Sequence, residues 1–133
     1  MKAKGRLKVV SVNDGLSPRR FLEEGRAYID RNDAVQASEK LYKAAEEAIK
    51  ALARRLDLPE WQEAREKGRW TTTLLFNAVE SLYKRLGDPE VRNGWNAAWF
   101  LHVEGFHETR LQISQVQFNL PPVVQLVELA QEI

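Results

Sequence analysis

The longest regular pattern of apolar and polar positions in the chain runs from Asp33 to Leu56. Its apolar residues recur at steps of three and four, which places them on one stripe of an α-helix. They are Ala37, Leu41, Ala45, Ala48, Leu52 and Leu56. Because half of them are alanines, neighbouring helices can approach closely. The pattern therefore predicts a central helix that other helices surround.

The same periodicity and the helix-capping residues predict four further helices. Ser17-Pro18 is typical of a helix start, and this first helix should end near Asn32. Its connection to the central helix is then so short that the two helices form an antiparallel hairpin. A short helix is expected from Glu60 to Lys67, a longer one from Thr71 to Leu86, and a last short one from Pro121 onwards.

One more helix is predicted to be long and continuous. It begins at Asp88-Pro89 and carries an apolar stripe as far as Val116, a length of about 40 Å. Gly105 is the position at which a kink or a break is expected. The predicted fold is therefore all-α, an antiparallel up-and-down bundle of four main helices plus a short C-terminal helix, in one domain covering residues 16–133.

The first fifteen residues differ from the rest in charge and pattern. Lys2, Lys4, Arg6 and Lys8 make this segment basic, and a basic arm can contact phosphates. More often such an end is solvated, so we expect residues 1–15 to form an extended or partly disordered arm.

The overall composition excludes several classes of function. The 133 residues carry 20 Lys and Arg against 19 Asp and Glu, so net charge does not favour nucleic acid or an anionic membrane. The absence of cysteine excludes disulfides, thiolate catalysis and cysteine zinc sites. No apolar run approaches the roughly 18 residues of a membrane span, and no leader is visible. We expect a cytoplasmic protein without membrane contact.

Only His102 and His107 are expected to titrate near neutral pH. His102 falls on the apolar stripe of the long helix, where it could be a general base, a metal ligand or a hydrogen-bonded core residue. On a straight α-helix His107 lies about 140° around the axis from His102. The two histidines are therefore not expected to bind one metal ion.

A metal site is the weakest of these interpretations. Glu104 and His107 form a Glu-x-x-His pair, the spacing found in di-iron carboxylate bundles. Such a site needs a second pair, which only a symmetric dimer could supply, because the chain has two histidines. We expect neither a metal nor another cofactor.

Polar residues on the central helix offer a second candidate site. Glu39, Lys43 and Glu46 follow one another at helical spacing, beside Lys40 and Tyr42. Such a ladder usually supports a solvated face, but facing a cleft it could bind a phosphate or position a proton. Aromatic residues on the long helix could likewise stack bases or belong to the core: Trp95, Trp99 and Phe100.

Two blocks of the sequence, residues 34–52 and 101–108, resemble the archaeal PaREP family, and the similarity extends from about Leu16 to Ile133. This family looks related to the HEPN superfamily of small helical bundles, which often dimerise. Many HEPN proteins are metal-independent ribonucleases or toxins, and others are partners of nucleotidyltransferases. The resemblance thus implies an α-helical bundle and, in part of the superfamily, activity on RNA.

HEPN ribonucleases carry an arginine or similar polar residue with a histidine five positions later. This chain has no arginine at that spacing, because Ala97 precedes His102 by five residues and His102 itself precedes His107 by five. Only His102 carries over from that motif. The residues in the PaREP-like blocks are candidates for a shared pocket: Glu39, Lys40, Tyr42, His102, Phe106 and Glu108.

Two hypotheses of function follow. The first is a HEPN-like bundle without activity, which acts as a homodimer or as the partner of a nucleotidyltransferase-type protein. The alternative is a divergent metal-independent ribonuclease or nucleotide-binding protein with His102 as acid/base, oriented by Glu108 or Glu39. The phosphate would then be held by a basic residue, for which the candidates are Lys40, Lys43 and Arg92. Whether the protein is an enzyme stays open at this point.

Overall fold

A computed structural model of the protein describes residues 17–133, and all regular structure in that range is helical. The elements are α1 (Pro18–Asp30), α2 (Ala34–Arg55), α3 (Pro59–Lys67), α4 (Thr72–Leu86), α5 (Pro89–Phe100), a π-helix (Leu101–His107), α6 (Ile113–Phe118) and α7 (Leu120–Glu132). The predicted all-α bundle is therefore confirmed. The predicted basic arm, residues 1–15, lies outside the described residues.

Side chains cap the starts of the helices where the sequence predicts them. The Ser17 hydroxyl accepts a hydrogen bond from the Arg20 backbone N–H at the start of α1, at 3.2 Å. An Asp33 carboxylate oxygen accepts one from Gln36 at the start of α2, at 3.0 Å. These bonds satisfy backbone donors that have no partner inside the helix. Local sequence thus determines where α1 and α2 begin.

The central position predicted for the Asp33–Leu56 segment is also confirmed, because α2 contacts every other helical element of residues 17–133. Most of its buried face consists of small side chains without solvent exposure, namely Ala37, Ser38, Ala44, Ala45, Ala48 and Ala53. Small side chains let the surrounding helices approach the α2 backbone. The core of the bundle therefore forms around this one helix.

Glycine permits the closest of these approaches. A Cβ atom added at Gly105, in the π-helix, would lie 2.1 Å from Ser38 Oγ and 2.6 Å from Ser38 Cβ. Both distances are well inside van der Waals contact. The π-helix thus packs directly on the first half of α2, and only glycine fits at that contact.

The prediction of one long helix from Asp88 to Val116 is wrong. The α-helical winding ends at Phe100, the π-helix follows to His107, and regular structure resumes only at Ile113. Thr109 has a left-handed backbone with φ of 52°, which an α-helix does not contain. The Glu104 carbonyl accepts a hydrogen bond from the Arg110 backbone N–H at 2.8 Å and closes the turn. The break therefore comes after His107, and the expected break at Gly105 is replaced by a change of winding.

Candidate active site

The π-helix brings the two histidines of the protein together. His102 Nε2 and His107 Nε2 lie 3.1 Å apart, within hydrogen-bond distance. Backbone hydrogen bonds in a π-helix join residues five apart, so residues i and i+5 come close to one side of the helix. The prediction that the two rings point away from each other assumed a straight α-helix and is wrong for that reason.

A carboxylate of α2 contacts the other nitrogen of the inner histidine. Glu39 Oε1 lies 3.2 Å from His102 Nδ1, and both side chains are less than one-fifth exposed. The second oxygen, Glu39 Oε2, lies 3.7 Å from Lys43 Nζ. Because a carboxylate only accepts hydrogen bonds, Glu39 holds a proton on Nδ1 of His102 and directs Nε2 towards His107.

Aromatic rings surround His102 on several sides. The Tyr42 ring stacks on it with centroids 4.1 Å apart and an interplanar angle of 25°. Phe106 stacks at 6.1 Å, and the Trp99 ring lies at 5.2 Å. These contacts fix the plane of the imidazole. His102 is less than one-fifth exposed, and its Nε2 faces the exposed His107.

Tyr42 keeps its proton in this environment. Burial raises the pKa of its phenol well above the ordinary value, and the negative charges of Glu46 and Glu39 raise it further. At neutral pH the Tyr42 phenol is therefore uncharged. Its ring stacks on the imidazole, and its oxygen does not act as a base. Glu39, His102 and His107 form a line of polar groups from the bundle interior to the surface.

Only some of the residues predicted for the site meet at this place. Glu39, Tyr42, Lys43, His102 and Phe106 come together.

The other candidates have different partners. Lys40 Nζ lies 3.3 Å from Glu24 Oε1 and over the Phe21 ring, on the side of α2 that faces α1. Glu108 is exposed, and its Oε1 lies 3.8 Å from Arg110 Nη1. The structure thus separates Lys40 and Glu108 from the pair of histidines.

Sequence reasoning left two members of this cluster out of the predicted site. The geometry of a straight α-helix predicts that His107 points away from His102. Trp99 is predicted only to stack bases or to belong to the core. The available signal for His107 was its spacing of five from His102, which equals one turn of a π-helix. For Trp99 the signal was its place three residues before His102, on the same face of the helix.

The di-iron interpretation finds no ligand set in the described part of the chain. No group of three or more His, Asp or Glu side chains within residues 17–133 could hold a metal ion. Glu104 of the Glu-x-x-His pair is engaged by Arg110, whose Nε donates to Glu104 Oε1 at 2.8 Å.

The fold and this site define a class, the small all-α bundle proteins with a histidine pair next to a central helix. The chain belongs to the archaeal PaREP1/PaREP8 family, whose model matches residues 17–127. No curated protein matches the chain. Within residues 17–133 we find no helix whose length and apolar character would allow it to cross a bilayer.

Two solved structures share the fold of this chain. The crystal structure of a structural-genomics target from Sulfolobus solfataricus is 38% identical, with a TM-score of 0.80, and the match covers 89% of this chain and 96% of that one. A solution structure of the same target is also 38% identical, with a TM-score of 0.75, covering 90% of this chain and 92% of that one. Both are similar to this chain over nearly their whole length.

Proposed function

We propose that the protein cleaves RNA without a metal ion and that His102 and His107 are its acid–base pair. The proposal rests on two contacts of His102. Its Nδ1 lies 3.2 Å from Glu39 Oε1, and its Nε2 lies 3.1 Å from His107 Nε2. Acid–base catalysis needs a donor and an acceptor that both reach the reacting atoms. A histidine pair open to solvent at one end meets this need.

The reaction would divide the two proton transfers between the two rings. When the pair holds one excess proton, the neutral imidazole removes the proton of a ribose 2′-hydroxyl. The 2′-oxygen then attacks the adjacent phosphorus, and the bond to the 5′-oxygen breaks. The protonated imidazole donates its proton to that leaving oxygen, so the products are a 2′,3′-cyclic phosphate and a 5′-hydroxyl. Transfer of the proton between the two Nε2 atoms restores the starting state.

Glu39 would stabilise the positive charge that forms on His102 during each cycle. A buried carboxylate on the far nitrogen of a histidine fixes its tautomer and favours the imidazolium. A HEPN ribonuclease places an arginine or similar polar residue five positions before its histidine, and in this chain His102 would have to take that place before His107. A HEPN relationship is part of this proposal.

The test is cleavage of a mixed panel of labelled RNAs in the presence of a chelator. We expect His102→Ala and His107→Ala each to lower the rate about a hundredfold or more. Glu108→Gln is the matched control, because Glu108 lies in the same sequence block but has Arg110 as its partner. Its rate should equal that of the wild type. Equal rates in the wild type and both histidine variants would overturn the proposal.

A second candidate function, a homodimeric interaction module, is favoured by a different surface. Phe118 is 83% exposed and Phe100 is 42% exposed, and both line a hollow of about 520 Å³ together with Ser114, Gln115 and Asn119. Exposed aromatic patches with a polar rim are typical of protein interfaces, and a second copy of this chain is the occupant we propose.

Light scattering tests the homodimer. We expect wild-type protein to dimerise and Phe118→Glu to shift it to monomer, because a charge at the contact would be buried without a partner. A strict monomer at high wild-type concentration would remove this candidate. The nucleotidyltransferase-type partner and the cytoplasmic location stay predictions.

A further inference from the structure

We infer that a groove between α4 and α5 binds a base of single-stranded RNA next to the histidine pair. The choice of RNA as ligand rests on the proposed function. The groove has a volume of about 430 Å³, which is in the range of small-molecule sites. Its aromatic walls are Phe76, Trp95 and Trp99, and the lining is completed by Val79, Glu80, Arg92 and Asn96.

The aromatic walls offer a stacking surface. The Phe76 ring is 40% exposed although it is apolar. It stands nearly perpendicular to Trp99, with centroids 5.0 Å apart and an angle of 76°, and similarly to Trp95 at 5.9 Å and 82°. A planar base can stack on one ring while its edge meets another, and such stacking tolerates any base.

The polar residues of the groove offer contacts to a planar ligand that carries a phosphate. Arg92 is exposed, its guanidinium lies 4.7 Å from the Tyr83 ring centroid, and no carboxylate of residues 17–133 lies within 4 Å of it. Glu80 places a carboxylate in the same groove, so the groove carries one charge of each sign. The guanidinium of Arg92 can bind a phosphate of the ligand. The amide of Asn96 and the carboxylate of Glu80 can hydrogen-bond the edge of a base.

One residue, Trp99, connects the groove with the candidate active site. Trp99 lines the groove and its ring lies 5.2 Å from His102. Because α5 leads directly into the π-helix, Arg92 and His102 lie about 15 Å apart along one continuous helical path. An RNA strand along this path would have its phosphate at Arg92, a base at Phe76 and Trp99, and its backbone at the histidines.

The experiment separates binding from cleavage. A labelled single-stranded RNA of about ten nucleotides, within the usual site size, carries 2′-O-methyl groups, so that no 2′-hydroxyl can react. Its affinity for the full chain is measured by fluorescence anisotropy. We expect Phe76→Leu and Arg92→Gln each to weaken binding about tenfold.

Two control variants match these changes. Phe21→Leu removes a partly exposed phenylalanine on α1, outside the groove, and Arg26→Gln removes an exposed arginine on the same helix. Both should bind as the wild type does. Arg92→Gln should also lower the slope of log affinity against log salt by about 0.7, the value for one phosphate contact with a single strand. An RNA duplex should bind more weakly than the single strand, because its bases are already stacked.

Equal affinities for the groove variants and their controls would overturn the inference, as would absence of binding to the wild type. Arg92 is a surface residue, so its variant remains informative if Phe76→Leu fails to fold.

Unmodified RNA distinguishes this failure from failure of the proposed function. Cleavage that depends on the histidines but not on the groove residues would remove the groove alone. Groove-dependent binding without any cleavage would support the groove and remove the acid–base proposal.

Discussion

The two segments with the longest apolar stripes, α2 and the segment that begins with α5, behave differently. Helix α2 keeps regular winding over 22 residues and buries its stripe against every other helix. The segment from Pro89 changes its winding at Leu101 and leaves helical structure after His107. In the regular winding of an α-helix successive side chains lie about 100° apart, so residues three and four apart form one apolar stripe that packs in a core. In the π-helix residues five apart lie on one side, so two polar side chains meet and form a candidate site.

The same contrast holds for the contacts between the segments. Gly25 of α1 and Gly105 of the π-helix both face α2, but an added Cβ would meet different atoms. At Gly25 it would lie 2.6 Å from Leu41 Cδ2 and 2.9 Å from Leu41 Cγ, both in a fully buried side chain. At Gly105 it would meet Ser38, whose short side chain cannot move away. The contact of the π-helix with α2 therefore tolerates an added methyl group less well than the contact of α1 with α2 does.

The largest expected loss of folding stability follows from that difference. Gly105→Ala should destabilise the protein by about 3 kcal/mol, because the new methyl group overlaps Ser38. Gly25→Ala is the comparison variant and should cost less, because the Leu41 side-chain atoms that it meets can shift partly within the core, whereas Ser38 Cβ is fixed by the backbone of α2. Urea unfolding measures both. Equal losses in the two variants would mean that the two contacts are equally adaptable.

A smaller effect is expected at the contact between α2 and the inner histidine. Glu39→Gln should lower stability by about 1 kcal/mol, because a hydrogen bond that His102 donates to a charged carboxylate becomes one to a neutral amide. It should also release the Nδ1–H tautomer of His102, which ¹⁵N NMR of the histidine side chains detects. Glu24→Gln, which removes a carboxylate paired with Lys40, should leave the imidazole signals unchanged. A neutral wild-type His102 with its only ring proton on Nε2 would contradict the assigned geometry.

The smallest effect concerns Tyr42 at alkaline pH. Its raised pKa means that only the unfolded chain ionises this phenol just above about pH 10. The unfolded state then binds fewer protons, so stability falls as pH rises, by at most about 1 kcal/mol from pH 10 to 11. Tyr42→Phe should remove that part of the decline in stability. Tyr28→Phe, on α1, is the control and should keep it. Identical pH profiles of Tyr42→Phe and wild type would contradict the prediction.

Local sequence determined most of the fold. The spacing of Ala37, Leu41, Ala45 and the following apolar residues predicts α2, and Ser17, Asp33 and Thr71 mark helix starts, because periodicity and capping involve residues a few positions apart. The all-α bundle and its central helix therefore needed no knowledge of distant contacts. The family blocks likewise contain Glu39, Tyr42, His102 and Phe106, which the fold brings together.

Only the tertiary structure decided the site. Whether Glu39 or Glu108 meets His102 depends on how the π-helix lies on α2, and that contact depends on Ser38 and Gly105, which are far apart in sequence. The π-helical winding of the same segment brings His107 to His102. Periodicity assumes one fixed angle per residue, and it cannot anticipate a change of winding where distant backbones meet.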